Sequence, residues 1–171
     1  MTLLKSNFLG IPVSGELRMG SSRTDQKPVE ELAPLLQALL DDPTITEFGW
    51  TQYTPYFNDG DVCEFSVGEI WVRTTEDVDS DEQEFDDYDL TLWAHPSLGR
   101  VNYEYRGEWP NREYVELGYE GPNEKRYRNA KALNEALTSG AYENALLDAF
   151  GDHALVTVRE AGIEVEFYSH D

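Results

Sequence analysis

Two histidines near the end of the chain, His153 and His170, each stand beside an aspartate, Asp152 and Asp171. Imidazole and carboxylate are the side chains that ligate divalent metals and exchange protons near neutral pH. The intervening residues alternate as a hairpin of 154–160 and 163–169. Setting Val158 against Val165 and Val156 against Phe167 turns one face inward, and it places Arg159 opposite Glu164. In that register His153 falls directly opposite His170. A zinc site takes about four ligands, and the sequence secures two at a hairpin end where fraying is expected. Metal binding is therefore the minor expectation here, and no other cofactor is expected.

A second cluster is acidic. Nine of the fourteen residues from 76 to 89 are carboxylates: Glu76, Asp77, Asp79, Asp81, Glu82, Glu84, Asp86, Asp87 and Asp89. An EF-hand loop begun at Asp77 would need glycine where Glu82 stands and glutamate where Tyr88 stands, so that reading fails. A like-charged run between strands is usually a solvated loop. The sharper expectation is a docking surface for a basic protein, with Phe85 and Tyr88 as apolar anchors. Extended stretches would repeat a carboxylate every ~6–7 Å along one face, imitating a nucleic-acid backbone.

A third cluster is aromatic and polar. Trp50, Tyr53, Tyr56 and Phe57 precede Asn58, Asp59 and Asp61, a composition that can line a ligand pocket or simply pack as a core hairpin. Cys63, the only cysteine, follows in an apolar strand setting that predicts a buried structural thiol rather than a nucleophile. One cysteine allows no intramolecular disulfide. There is no glycine-rich phosphate loop, dinucleotide fingerprint, His-Glu-x-x-His or serine elbow, so no catalytic residue is assigned and the reading leans away from an enzyme.

The elements that position these clusters follow from periodicity. Leu32, Leu35, Leu36, Leu39 and Leu40 share one face of a helix over 29–41, opened by Pro28 and stopped at Asp42-Pro43. Residues 45–57 and 62–74 form a hairpin about Asn58-Asp59-Gly60-Asp61, setting Tyr56 opposite Cys63, Thr54 opposite Phe65 and Phe48 opposite Trp71. Leu90, Leu92 and Ala94 alternate before Pro96-Ser97-Leu98-Gly99, and Val101, Tyr103 and Tyr105 after it, so a second hairpin is expected with Asp89 opposite Arg106. A further strand falls at 112–119. Tyr127, Ala130, Leu133 and Leu137 mark a helix capped by Asn123 and stopped by Gly140; Tyr142, Leu146, Leu147 and Phe150 mark another ending at Gly151.

The chain thus predicts a single α+β domain over 1–171. It would be a mainly antiparallel, twisted sheet of hairpins with about three helices packed against it, an N-terminal arm and mobile loop at 1–28, and an acidic loop at 75–89. Its 171 residues suffice for a real core. The formal charge of −21, from 34 acids against 13 bases, disfavours nucleic acid and anionic membranes and favours a basic partner. No stretch approaches the ~20 apolar residues of a membrane span, and the first ten residues lack the apolar run of a signal peptide, so a cytoplasmic setting is expected. Nothing fixes the oligomeric state.

Trp50-Thr51-Gln52-Tyr53-Thr54-Pro55-Tyr56-Phe57-Asn58-Asp59-Gly60-Asp61 with Cys63, and the ending Phe150-Gly151-Asp152-His153 through Tyr168-Ser169-His170-Asp171, resemble an uncharacterised family of small acidic bacterial and bacteriophage proteins. The resemblance implies a prokaryotic or phage setting and no particular activity. The leading expectation is a non-enzymatic protein that masks a basic nuclease, defence effector or DNA-binding protein. The alternative is a small metal- or ligand-binding protein, or an enzyme, built on Asp152, His153, His170 and Asp171.

Overall fold

Apolar residues at alternate positions of β3 (Ile45–Tyr53) make it the strand around which the molecule is assembled. Phe48, Trp50 and Gln52 point to one side and are almost fully buried, as period-two geometry requires of a strand with one core face. In the computed structural model, which describes residues 7–12 and 24–170, the protein is α+β with antiparallel sheets and three α-helices. β3 pairs on one side with β4 (Ser66–Val67) and β5 (Trp71–Thr74), and on the other with β8 (Ala154–Arg159), which carries β9 (Gly162–Phe167) at the edge. A two-stranded ribbon of β6 (Arg100–Arg106) and β7 (Glu113–Glu120) is a separate sheet. A short pair, β1 (Asn7–Phe8) and β2 (Ile11–Pro12), stands in the predicted arm. The loop expected between that arm and Pro28 falls largely on 13–23, outside the described residues.

The helices cover the inward face of β3 and β8. α1 (Ala33–Leu40) is preceded by a 3-10 turn, Val29–Leu32, so the expected helix 29–41 is present in two parts. Pro34 explains the break. It sits in the first turn of α1, where its missing N–H costs nothing, but it would interrupt a continuous helix begun at Pro28. α2 (Glu124–Thr138) starts as predicted at Asn123, whose side chain accepts from the Arg126 amide, and Gly140 follows its end at φ +81°. α3 (Glu143–Phe150) ends at Gly151, φ +85°. Leu39, Leu133, Leu137 and Leu146 meet Phe48, Trp50, Val156 and Val158 in one core. The buried Gln52 amide donates to the carbonyls of Leu146 and Gly151 and accepts from the Trp50 indole, fastening β3 to the end of α3.

Pairings in three predicted hairpins are corrected. Phe48 lies opposite Val72, not Trp71, because one extra residue enters between the Gln52–Val67 pair and the Gly49–Trp71 pair. The ladder also stops at Tyr53–Ser66, so Thr54–Phe65 and Tyr56–Cys63 are not strand pairs, and Cys63 is half-buried rather than buried. Residues 88–94 form turns with a lone bridge, Thr91 to Trp71; β6 pairs with β7 instead, and Arg106 faces Glu113 rather than Asp89. In the terminal hairpin Val156 faces Val165 and Ala154 faces Phe167, a slip of two residues from the expected register. An even slip keeps every side chain on its face. Arg159 accordingly still reaches Glu164, at 2.6 Å.

On the outward face, Arg73 of β5, Glu47 of β3, Arg159 of β8 and Glu164 of β9 form a cross-strand chain of ion pairs. Beside it, the Trp71 ring lies against Gly49. A Cβ at Gly49 would come 2.1 Å from the Val156 carbonyl oxygen and 2.7 Å from the Trp71 ring. Backbone on one side and a buried indole on the other leave no room to yield. Gly49→Ala should destabilise the fold by about 3 kcal/mol, read as a lower urea midpoint; a midpoint within error of the parent would show that the sheet does not close this tightly.

Candidate functional site

The acidic run begins where β5 ends, and Arg73 of β5 governs its shape. One guanidinium nitrogen donates to the Asp77 carbonyl (3.0 Å) and to Asp79 Oδ1 (3.3 Å); another donates to the Phe85 carbonyl (3.0 Å). The third, Nε, faces Glu47 at 3.4 Å. A single cation therefore draws the two ends of the loop together and ties both to the central strand. Asp79 returns the bond by accepting from the Phe85 amide at 2.9 Å. That amide, with Arg73 behind it, holds the Asp79 carboxyl below its ordinary range. Ser80 and Gln83 exchange backbone bonds, and the Asp86 and Asp89 side chains each accept from the other's amide. The segment holds no strand, so its carboxylates are not in the straight, strand-spaced row that an extended stretch would give.

Of the acids in the run, Asp77 alone is buried. Its Oδ2 accepts from the Thr74 amide (2.8 Å) and the Ser97 hydroxyl (3.0 Å), and Thr74 Oγ1 meets Ser97 Oγ at 2.8 Å. His95 lies alongside. Its Nε2 contacts the Val72 carbonyl at 2.5 Å, while Nδ1 accepts from the amides of Ser97 and Leu98. Arg126, from the first turn of α2, donates to the Ser97 carbonyl and the Thr44 hydroxyl. Serine, histidine and aspartate so grouped invite comparison with a nucleophilic triad, but the wiring is wrong. Both backbone bonds occupy the imidazole lone pair that would take the serine proton, and Ser97 Oγ donates to the aspartate. All three side chains are buried away from any substrate. Sequence reasoning missed His95, Ser97, Arg126 and Arg73. Arg73 left one signal, a lone base just before nine acids.

Exposed around this base are Glu76, Asp79, Asp81, Glu82, Glu84, Asp86, Asp87 and Asp89, with Phe85 half-buried and Tyr88 82% exposed. Seven exposed like charges beyond the Asp79–Arg73 pair, on a clamped backbone, make a strongly negative surface with an aromatic within it.

The histidine and aromatic clusters converge into one place. His170 Nε2 and His153 Nδ1 lie 3.0 Å apart, and the rings stack at 4.9 Å. Tyr56 stacks on both histidines, at 4.6 Å from His170 and 4.9 Å from His153, and Tyr53 covers His170 at 4.0 Å. The segments around Tyr53–Tyr56 and His153–His170 thus touch. His153 is paired in the ladder direction with Tyr168, not His170; the two-residue slip is made up diagonally by the rings. Trp50, by contrast, faces the core, and Asn58, Asp59 and Asp61 form the exposed turn, with φ +40° at Asp59 and +96° at Gly60. Asp152 accepts from the amide and hydroxyl of Thr54 and from the His153 amide. Burial works against its charge, but those bonds outweigh it and lower its pKa. Asp171 lies outside the described residues, among which no group of three or more His, Cys, Asp or Glu side chains is placed to hold a metal ion. The rings pack on one another.

Comparison with known proteins finds no matching family model, curated protein or solved structure.

Burial, reinforced by the nearby Arg126 charge, lowers the pKa of His95 against the opposing pull of the Val72 carbonyl and Asp77. The ring is neutral in the fold, whereas an unfolded histidine takes up its proton near pH 6.5. Stability from this group is therefore complete above about pH 6.5 and lost as pH falls toward the depressed value, with a slope of at most about 1.4 kcal/mol per pH unit. The urea midpoint should fall between neutral pH and pH ~5.5, and His95→Gln, though less stable throughout, should flatten that fall. Equal slopes in the two proteins would show that His95 is not held neutral.

Proposed function

We propose that this protein is a non-enzymatic acidic interaction protein that binds and masks a basic partner. In the bacterial or phage setting implied by the resemblance, the partner is a nuclease, a defence effector or a DNA-binding protein. The protein would then act as an inhibitor, an immunity factor or an anti-defence factor. The observation that carries this reading is the Arg73 clamp, which closes the acidic loop on itself while leaving all its carboxylates but Asp77 in solvent. A loop whose only role was solubility would need no such fastening. Preorganised charge steers encounter and avoids the entropy of ordering a floppy loop at the moment of binding.

The test is affinity capture of basic proteins from bacterial lysate at low salt, followed by release at high salt, with the captured protein then titrated. Asp81→Asn, Glu82→Gln and Glu84→Gln, which take no part in the clamp, should together weaken affinity by about tenfold. Arg73→Gln removes no carboxylate, yet should also weaken it by loosening the surface. Affinity indifferent to both salt and these variants would overturn the proposal.

A further inference from the structure

Next to the acidic loop is an open groove of about 360 Å³ lined by Glu69, Tyr88, Asp89, Thr91, Trp93 and Ala94. That volume lies within the ~300–1,000 Å³ of small-ligand sites. Its two aromatics are among the most exposed large apolar side chains of the described residues, Tyr88 at 82% and Trp93 at 84%. Neither makes a ring contact with another aromatic among the described residues. Two exposed rings beside two carboxylates form a mixed aromatic and acidic surface, of the kind that marks binding sites.

The backbone beneath is fixed. Thr91 donates from its amide and its hydroxyl to the Tyr88 carbonyl, and it bridges to Trp71 of β5. The fully buried Leu90 accepts from the Val72 amide, and the Asp86 side chain accepts from the Asp89 amide. The rings and carboxylates are thus carried on a segment pinned to the sheet.

We infer that this groove receives an arginine side chain of the partner protein, its guanidinium lying against Tyr88 or Trp93 and paired with Glu69 or Asp89. The inference rests on the reading of the protein as a binder of basic partners and names the group it would recognise. An aromatic face attracts a cation through its quadrupole. Carboxylates supply the counter-charge, and the apolar rings accept the aliphatic stem. Guanidinium fits better than ammonium because it is planar, more weakly hydrated, and able to stack and to bond a carboxylate through two nitrogens at once. An anionic side chain would be repelled by Glu69 and Asp89, and a neutral one could offer them hydrogen bonds but no ion pair.

The test uses a blocked Gly-Arg-Gly peptide, its citrulline and lysine counterparts, and the full chain, followed by NMR at the Trp93 indole N–H. The arginine peptide should shift that signal saturably, with citrulline and lysine each weaker by about tenfold. Trp93→Ala, at a site so exposed that folding is unaffected, should weaken arginine binding to the same extent, measured on neighbouring amides. Equal binding of citrulline or lysine, or binding unchanged by Trp93→Ala, overturns the inference. The two proposals fail separately. If captured basic protein still depends on the acidic loop but not on Trp93, the groove is wrong and the function stands. If the arginine peptide binds the groove while no basic protein is captured, the groove stands and the function falls.

Discussion

Nine carboxylates in fourteen residues repel one another, and the local fold exists because two groups offset that repulsion from inside. Arg73 supplies the positive charge, reaching both ends of the loop and the central strand at once. Asp77 supplies the anchor, giving up water to take the Thr74 amide and the Ser97 hydroxyl. Hydrogen bonds to charged groups contribute about 1.5–3 kcal/mol each, and a buried carboxylate without them would cost more than it could return. Asp77 also connects what the sequence separates, because Ser97 and Arg126 carry the same network to the start of β6 and into α2. The acidic surface is therefore joined to the core rather than appended to it.

Charge is handled differently on the outward face of the main sheet. There Arg73, Glu47, Arg159 and Glu164 alternate in sign across four strands, so each acid has a base beside it. Elsewhere, too, bases are set against acids, as Arg128 is against Glu116 and Glu124. With thirteen bases for 34 acids, this leaves a surplus of acids, and the loop after β5, with Arg73 for its nine carboxylates, is the densest run of them in the chain. Arg73 belongs to both arrangements, which makes it the link between the order of the sheet and the display of the loop.

Much of this was legible in the sequence. Asn123, Gly140 and Gly151 marked helix ends because capping and positive φ are local requirements. In the terminal hairpin the side chains sharing a face were legible although the register was not, since an alternating pattern cannot distinguish slips of two residues. The inward burial expected of that face holds for β8 but not for β9, whose Val165 and Phe167 are exposed. That same degeneracy let His153 and His170 be paired correctly in space for an inexact reason. The hairpin expected through Pro96-Ser97-Leu98-Gly99 failed for a nonlocal cause: His95 and Ser97 are drawn inward by Val72, Asp77 and Arg126, leaving 88–94 in turns. Leu90 alternates with Leu92, but it is buried by that inward pull rather than by a strand. Side-chain bonds to loop carbonyls, amides and hydroxyls follow no helix or strand period, which is why the clamp and its buried anchor emerged only with the fold.

The central claim is that the acidic loop is a fixed surface, and amide hydrogen exchange at low ionic strength addresses it most directly. The amides of Thr74 and Phe85, bonded to the carboxylates of Asp77 and Asp79, should exchange far more slowly than those of Glu82 and Glu84 on the same stretch. Exchange of Phe85 as fast as its acidic neighbours would mean that the loop moves freely in solution, and the account of a preorganised negative surface would be wrong.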